Sequence, residues 1–143
     1  MKIVLDTNVL VSGLLTPFGP SGKIVRMVFS GELTVYIDAR ILSEYKEVLH
    51  RPKFKFDKDR IGILLDFIMQ YGQFVSSSPL KNQLPDPDDE PFLEVAIAGM
   101  EKYLVTGNSK HYPSSVFQGI NILSPSEFLE FYRNQDNVTE ADV

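Results

Sequence analysis

Three carboxylates stand at places in the sequence where an α/β protein can gather them into one site. Asp6 directly follows a short apolar run, Glu44 lies in a helical pattern, and Asp89 comes just before another helical pattern. Close carboxylates repel one another and require a compensating cation. Carboxylate oxygens favour Mg²⁺ or Mn²⁺ over Zn²⁺. We therefore expect these three acids to form a divalent-metal site.

The chemistry that such a site would perform is hydrolysis of a phosphodiester. A divalent ion lowers the pKa of bound water and neutralises charge at a phosphate in the transition state. A further polar segment, Thr106-Gly107-Asn108-Ser109, follows a later apolar run. Its glycine and short side chains allow oxygen atoms to approach a ligand or water closely. Asn108 is therefore expected to assist the three acids.

The elements that must position these residues alternate between strands and helices. Apolar runs rich in β-branched or aromatic residues predict strands at 3–5, 34–37, 73–75, 103–105 and 120–123. Amphipathic patterns at 24–29, 41–49, 61–71 and 92–100 predict helices, and a capping box at Ser124-Pro125-Ser126-Glu127 opens a last one. This alternation predicts a three-layer α/β/α sandwich with a mainly parallel central sheet and right-handed crossovers.

The expected ligand crevice lies outside the carboxyl ends of the strands, where the strand order reverses. Asp6 follows the first strand and Glu44 begins near the same edge. Asp89 precedes its strand, so it reaches this edge only if the long connection after 75 carries the helix start back, as a right-handed crossover requires. The three acids and Asn108 are then expected to converge.

Composition restricts the setting of this site. The chain has 143 residues, no cysteine and a formal net charge of −5. The length fits one domain, predicted at 1–133, followed by a polar tail at 134–143 that is expected to be disordered. The absence of cysteine suits a reducing, cytoplasmic location, and no stretch is apolar enough to predict a membrane span. The negative charge argues against a broad basic surface for nucleic acid.

One local segment is basic and aromatic. Arg51, Lys53 and Lys55 alternate with Phe54 and Phe56, a pattern that can combine phosphate contacts with base stacking on single-stranded RNA. Alternating aromatic residues also often belong to a core, so both interpretations stay open.

The same residues resemble the motifs of the PIN-domain family, most closely its bacterial and archaeal branch of toxin components. The resemblance rests on four ordered segments that span the chain from Met1 to about Tyr132. These are Asp6-Thr7-Asn8-Val9-Leu10, Glu44, Asp86-Pro87-Asp88-Asp89 leading into Phe92-Leu93-Glu94-Val95-Ala96, and Val105-Thr106-Gly107-Asn108.

This resemblance implies a Mg²⁺- or Mn²⁺-dependent ribonuclease that cuts single-stranded RNA, with Asp6, Glu44 and Asp89 at three acidic metal positions. It also implies secondary site positions, an antitoxin partner and a possible homodimer. The secondary positions are Asn8, Asp86, Thr106 and Asn108. Many family members carry a fourth acid where this chain has Asn108, and Asp86 or Asp88 is the candidate to supply the missing charge.

Other interpretations remain for the same residues. Asp6 can cap a helix, Glu44 can be a solvated helix residue, and the acids before the fourth helical pattern can favour its positive end. Asp38 and Glu127 are assigned to capping, and Asp57 and Asp59 to a solvated helix start. His111, after Ser109-Lys110, is interpreted as a surface loop residue, with a substrate contact as the alternative.

Two further functions compete with the nuclease. An inactive or weakly active PIN-fold module that binds a protein partner is favoured by Asn108 and the acidic charge. A phosphatase of the haloacid-dehalogenase type also has an aspartate after its first strand, but that family expects a second Asp where Asn8 stands. The phosphatase therefore ranks last.

Overall fold

A computed structural model describes residues 1–109, 112, 116–117 and 119–141. The strands are β1 Lys2–Leu5, β2 Thr34–Ile37, β3 Gln73–Phe74, β4 Tyr103–Val105, β5 Val116–Phe117 and β6 Ile120–Leu123. The helices are α1 Thr7–Leu15, α2 Pro20–Ser30, α3 Ala39–Leu49, α4 Lys58–Tyr71, α5 Glu90–Ala98 and α6 Pro125–Ala141. Two short 3-10 helices lie at Pro52–Phe54 and Pro87–Asp89.

The strands form one sheet in the order β3-β2-β1-β4-β6-β5. The pairs β3–β2, β2–β1, β1–β4 and β4–β6 are parallel, and β5 runs antiparallel to β6. The prediction of an α/β fold with a mainly parallel sheet is therefore confirmed.

The sheet is covered on both faces. Successive side chains of a strand point to opposite faces, and Ile3, Val4 and Leu5 of β1 are all 0% exposed. α5 packs on β1, β2 and β4, whereas α4 contacts β2 and α6 contacts β6. This layering leaves the ends of the central strands as the place where polar groups can reach solvent.

Two helix starts follow the predicted capping chemistry, and Asp57, predicted only as a solvated residue at a helix start, is a third cap. Asp38 Oδ1 accepts a hydrogen bond from the Ile41 N–H at 2.9 Å, and Asp57 Oδ1 accepts from the Asp59 N–H at 2.8 Å. At α6, the Glu127 N–H donates to Ser124 Oγ and the Ser124 N–H donates to Glu127 Oε1. These reciprocal bonds confirm the capping box.

Three features differ from the sequence prediction. α1 was not predicted as a helix, because its apolar run gives no amphipathic period. β5 was not predicted, because its two residues form a strand only by pairing with β6. The tail at 134–143 was expected to be disordered, whereas α6 continues to Ala141. That stretch contains neither Gly nor Pro to end a helix. Asp142 and Val143 lie outside the described residues.

Across the described residues, no helix combines the length and hydropathy that crossing a membrane requires.

Candidate functional site

The site is built where the strand order reverses. From β1 the chain proceeds to β2 and β3 on one side, and later returns to place β4 on the other side of β1. Leu5 pairs with Val105, so the carboxyl ends of β1 and β4 stand side by side. The backbone N–H of Asp6 donates to the Val105 carbonyl at 2.9 Å. This pairing brings Asp6 next to Thr106.

Asp6 is a buried carboxylate, with 6% of its surface exposed. It occupies the N-cap position of α1, but its side chain makes no capping hydrogen bond. Thr106 Oγ1 instead donates to Asp6 Oδ2 at 2.8 Å. The neighbouring strand end therefore orients this side chain, and the N–H groups of Thr7 and Asn8 at the start of α1 also lower its pKa.

Asn8 connects the same two strand ends. Its Oδ1 accepts from the Gly107 N–H at 2.9 Å, and its Nδ2 lies 3.4 Å from Asp6 Oδ2 and 3.5 Å from Thr106 Oγ1. A Cβ at Gly107 would meet Asn8 Oδ1 at 3.3 Å, so the glycine allows this close approach. The Asn108 N–H donates to Thr106 Oγ1 at 3.0 Å. The polar turn predicted after β4 thus orients Asp6.

Glu44 is half-buried on α3 and faces α1, where Thr7 Oγ1 donates to Glu44 Oε2. The adjacent Tyr45 is fully buried and its hydroxyl donates to the Leu5 carbonyl at the end of β1. Tyr45 therefore anchors the turn of α3 that carries Glu44 to the edge where Asp6 lies.

Asp89 ends the 3-10 helix Pro87–Asp89 and is 8% exposed. Its negative charge acts on Asp6. The long connection after β3 thus returns to the carboxyl edge of the sheet. The crossover expected from the sequence places Asp89 with Asp6.

The electrostatics of this cluster favour binding of a cation. Burial raises the pKa of Asp6 to about 6; the hydrogen bond from Thr106 opposes the rise, and the charge of Asp89 adds to it. Burial also raises the pKa of Glu44, opposed by the Thr7 hydrogen bond and reinforced by the charge of Asp6. A nearby positive charge would relieve both effects.

A cleft of about 490 Å³ opens over these groups. It is lined by most of the residues singled out from the sequence, namely Asp6, Asn8, Glu44, Arg51, Asp86, Asp89 and Asn108. Thr106 lies behind Asp6, fully buried. Lys53 and Lys55 are exposed and do not line the cleft. The structure therefore brings the predicted acids together but separates the two lysines from them.

Among the described residues, no group of three or more His, Cys, Asp or Glu side chains is arranged to hold a metal ion. The donor set nevertheless suits a hydrated ion. Mg²⁺ keeps several waters and is commonly bound by one or two carboxylates rather than by a closed protein cage. Asp6 and Asp89 are buried carboxylates whose charges interact. They fit Mg²⁺ or Mn²⁺ chemistry as a pair, with Glu44 at the same cleft.

Two features of the site region were not identified from the sequence. Tyr112 is 5% exposed, and its hydroxyl has no hydrogen-bond partner among the described residues. Burial and the charges of Asp6 and Asp89 raise its pKa. A single tyrosine outside the predicted helices and strands gives no periodic signal that could have placed it near the acids. His111 lies outside the described residues.

The second feature is an ion-pair cluster that fixes α5. Glu94 is 7% exposed; its Oε1 lies 2.6 Å from Arg40 Nη1 and its Oε2 accepts from the Leu80 N–H at 2.9 Å. Arg40 also pairs with Asp38 at 2.7 Å and donates to Ser77 at 3.0 Å. The cluster ties α3, the connection after β3 and α5 together, just beyond Asp89.

Comparisons with known proteins agree with this fold. A family model described as PIN domain matches residues 2–110. An uncharacterized protein of Methanocaldococcus jannaschii is 26% identical over 140 residues, covering 91% of this chain and 90% of that protein. The crystal structure of VapBC2 from Rickettsia felis, bound to a DNA fragment from its promoter, superposes with a TM-score of 0.55 at 17% identity. That match covers 87% of this chain and 98% of the other, and it shows a shared fold.

Proposed function

Because the chain belongs to the PIN-domain family, we propose that it is a Mg²⁺- or Mn²⁺-dependent endoribonuclease that hydrolyses phosphodiesters of single-stranded RNA. PIN domains are generally nucleases and usually use divalent metals. The observation that carries the proposal is the convergence of Asp6, Glu44 and Asp89 on one cleft at the reversal of strand order.

Asp6 and Asp89 are the residues proposed to hold the ion, with Glu44 binding it or orienting the attacking water. When bound, such an ion would neutralise charge at the phosphodiester and lower the pKa of water. Thr106 and Asn8 fix the orientation of the Asp6 carboxylate. Thr7 does the same for Glu44. These hydrogen bonds hold the carboxylates in place before substrate arrives, which reduces the reorganisation needed during reaction.

Asn108 takes the place of a fourth acid that many family members carry. It lines the cleft and its side chain is exposed there. An amide oxygen can still hold a water molecule, and Asp86 and Asp88 line the same cleft as sources of negative charge. We propose that Asn108 assists and that the two exposed aspartates compensate for the missing carboxylate.

We further propose that the chain acts in the cytoplasm as the toxin of a toxin–antitoxin pair. The family resemblance and the fold shared with VapBC2 of Rickettsia felis, which binds promoter DNA as a complex, support a protein partner. Co-purification with the product of an adjacent gene would test the partner. Light scattering of the isolated chain would test the homodimer.

The alternative is a PIN-fold module with little or no activity that works through its partner. Asn108 in place of an acid favours it, as does the absence of a three-residue metal cluster among the described residues. It differs from the nuclease in one measurable property, since it binds a partner without cutting RNA.

The experiment that separates these functions is cleavage of a labelled single-stranded RNA by the purified chain with Mg²⁺, Mn²⁺ or chelator. We expect new RNA ends with metal and none with chelator, and little cleavage of the same sequence annealed into a duplex. A folded protein that releases no ends with either metal would overturn the nuclease proposal and favour the binding module.

A further inference from the structure

The cleft over the acids is also lined by apolar side chains and by an arginine. Besides the carboxylates, this cleft is lined by a wall of apolar side chains from α1, α3 and the 3-10 helix after α3, namely Val11, Leu15, Val48 and Phe54. Arg51 lines the same wall. Among the described residues that line this cleft, Arg51 is the one Lys or Arg side chain. The cleft thus offers an aromatic ring and a cation beside a group of acids.

Phe54 packs against a second aromatic ring at this wall. Its ring stacks on Phe56 with centroids 5.4 Å apart and planes 16° apart. Phe56 in turn packs against the hydrophobic core. Lys55, between them, has a φ of 55°, a left-handed conformation that reverses the chain so that both rings stand on one side. The Phe54 ring is therefore supported on one face by Phe56.

Arg51 forms an exposed ion pair with Glu47 that it can exchange for another. Its guanidinium pairs with Glu47 at 3.0 Å, and the two side chains are 45% and 62% exposed. Exposed pairs one helical turn apart contribute little stability. Arginine also binds phosphate through paired N–H donors. Transfer of Arg51 from Glu47 to a phosphate therefore costs little.

We propose that this wall is a nucleotide subsite, in which an unpaired base stacks on Phe54 while Arg51 binds an adjacent phosphate and directs the chain toward the acids. Base stacking on an aromatic side chain tolerates any sequence but requires a base that is free of its duplex. The subsite thereby gives a structural reason for choosing single strands. The inference rests on the proposed function, because it assigns the substrate contacts of the same cleft.

The sequence left open whether the basic segment contacts RNA through Arg51, Lys53 and Lys55 or belongs to the core, and its residues differ in where they lie. Lys53 Nζ lies over the Phe54 ring, 5.1 Å from its centroid, although Lys53 does not line the cleft. A base that stacks on that face of the ring displaces the exposed lysine side chain, and Lys55 is exposed at the chain reversal. Phe56 is occupied by the core. The subsite therefore uses Arg51 and Phe54 as its direct contacts.

The test measures binding of a short single-stranded RNA that contains 2-aminopurine, with Ca²⁺ in place of Mg²⁺. Phe54→Leu keeps apolar bulk but removes the ring, and Phe54→Ala removes both. We expect each to weaken binding about five-fold or more and to reduce the stacking-induced quenching of 2-aminopurine. Phe18→Ala is the control, because Phe18 is 97% exposed and lies outside this cleft.

Arg51→Gln should weaken binding and lower the salt slope by about one phosphate contact, whereas Arg60→Gln, outside the cleft, should leave both unchanged. Wild-type affinity and quenching in Phe54→Leu, or an unchanged salt slope in Arg51→Gln, would overturn the subsite. Cleavage by wild type is measured in parallel. An inactive wild type refutes the proposed function, whereas an active wild type with an unaffected Phe54→Leu variant refutes only the subsite.

Discussion

At the scale of single residues, the main determinant is a buried carboxylate with a neighbour of the same charge. Asp6 is buried and interacts with Asp89, while Thr106 holds its orientation. The acids could be identified from the sequence because each stands at an end of a predicted element. Their hydrogen-bond partners could not, since Thr7 and Thr106 meet Glu44 and Asp6 only through contacts between distant parts of the chain.

The raised pKa of Asp6 predicts how stability depends on pH. An acid whose pKa rises on folding stabilises the folded state below its unfolded pKa, and this stability is lost as pH rises through the folded value. For Asp6 the window runs from 3.8 to about 6. The metal-free protein should lose on the order of 3 kcal/mol through this window from Asp6 alone. Urea unfolding in chelator across the window measures it.

Asp6→Asn should lack this component, because an amide does not titrate there. The variant should also be more stable than wild type above the window in chelator, and Mn²⁺ should stabilise it less. If the free energy of unfolding depended on pH in the same way in both proteins, Asp6 would not be the acid whose pKa is raised on folding.

Tyr112 and Tyr45 should respond to loss of their hydroxyls in opposite directions. The Tyr112 hydroxyl is buried and has no hydrogen-bond partner among the described residues, so Tyr112→Phe should raise the free energy of unfolding by roughly 1 kcal/mol. Tyr45→Phe removes a bond to the Leu5 carbonyl and should lower it by roughly 1–2 kcal/mol. Chemical unfolding of both variants and of wild type measures the two changes in the free energy of unfolding. Destabilisation by Tyr112→Phe would reveal a partner for that hydroxyl.

At the scale of elements, the helices after α1 and the longer strands could be predicted because their apolar patterns and caps are local. Asp38, Asp57 and the Ser124–Glu127 box mark three helix starts in the sequence and in the structure. β5 could not be predicted, because it exists only as the partner of β6. The Arg40–Glu94 ion pair likewise could not be predicted from the local sequence, since its two residues lie on different helices.

The Arg40–Glu94 ion pair should contribute more to stability than the exposed Arg51–Glu47 ion pair. Removing Arg40 leaves the carboxylate of the buried Glu94 side chain without its cation, so Arg40→Met should cost about 1–3 kcal/mol. Arg51→Met breaks an exposed pair with Glu47 and should change stability by no more than about 0.5 kcal/mol. Urea unfolding of both variants makes the comparison. Equal effects would show that the cluster does not hold α5.

At the scale of the whole molecule, the order of the strands creates the site. Handedness and the alternation of elements predicted a parallel sheet, but they do not specify which strands are neighbours. The observed order places β4 beside β1 and so joins Asp6 to Thr106. The net charge of −5 is concentrated in part at this cleft, where Arg51 is the cation among the described lining residues. We therefore propose that nucleic acid binds at this cleft and not over a broad basic surface.

The central claim is that metal-dependent RNA cleavage takes place at the strand-reversal acids. Its most direct test is single-turnover cleavage of a single-stranded RNA with Mn²⁺ by wild type, Asp6→Asn and Asp57→Asn. Asp57 is an exposed cap of α4, and Asn caps a helix as well, so this variant controls for loss of a carboxylate elsewhere. We expect a loss of about a hundred-fold or more in folded Asp6→Asn and none in Asp57→Asn. Wild-type cleavage by Asp6→Asn would contradict the account.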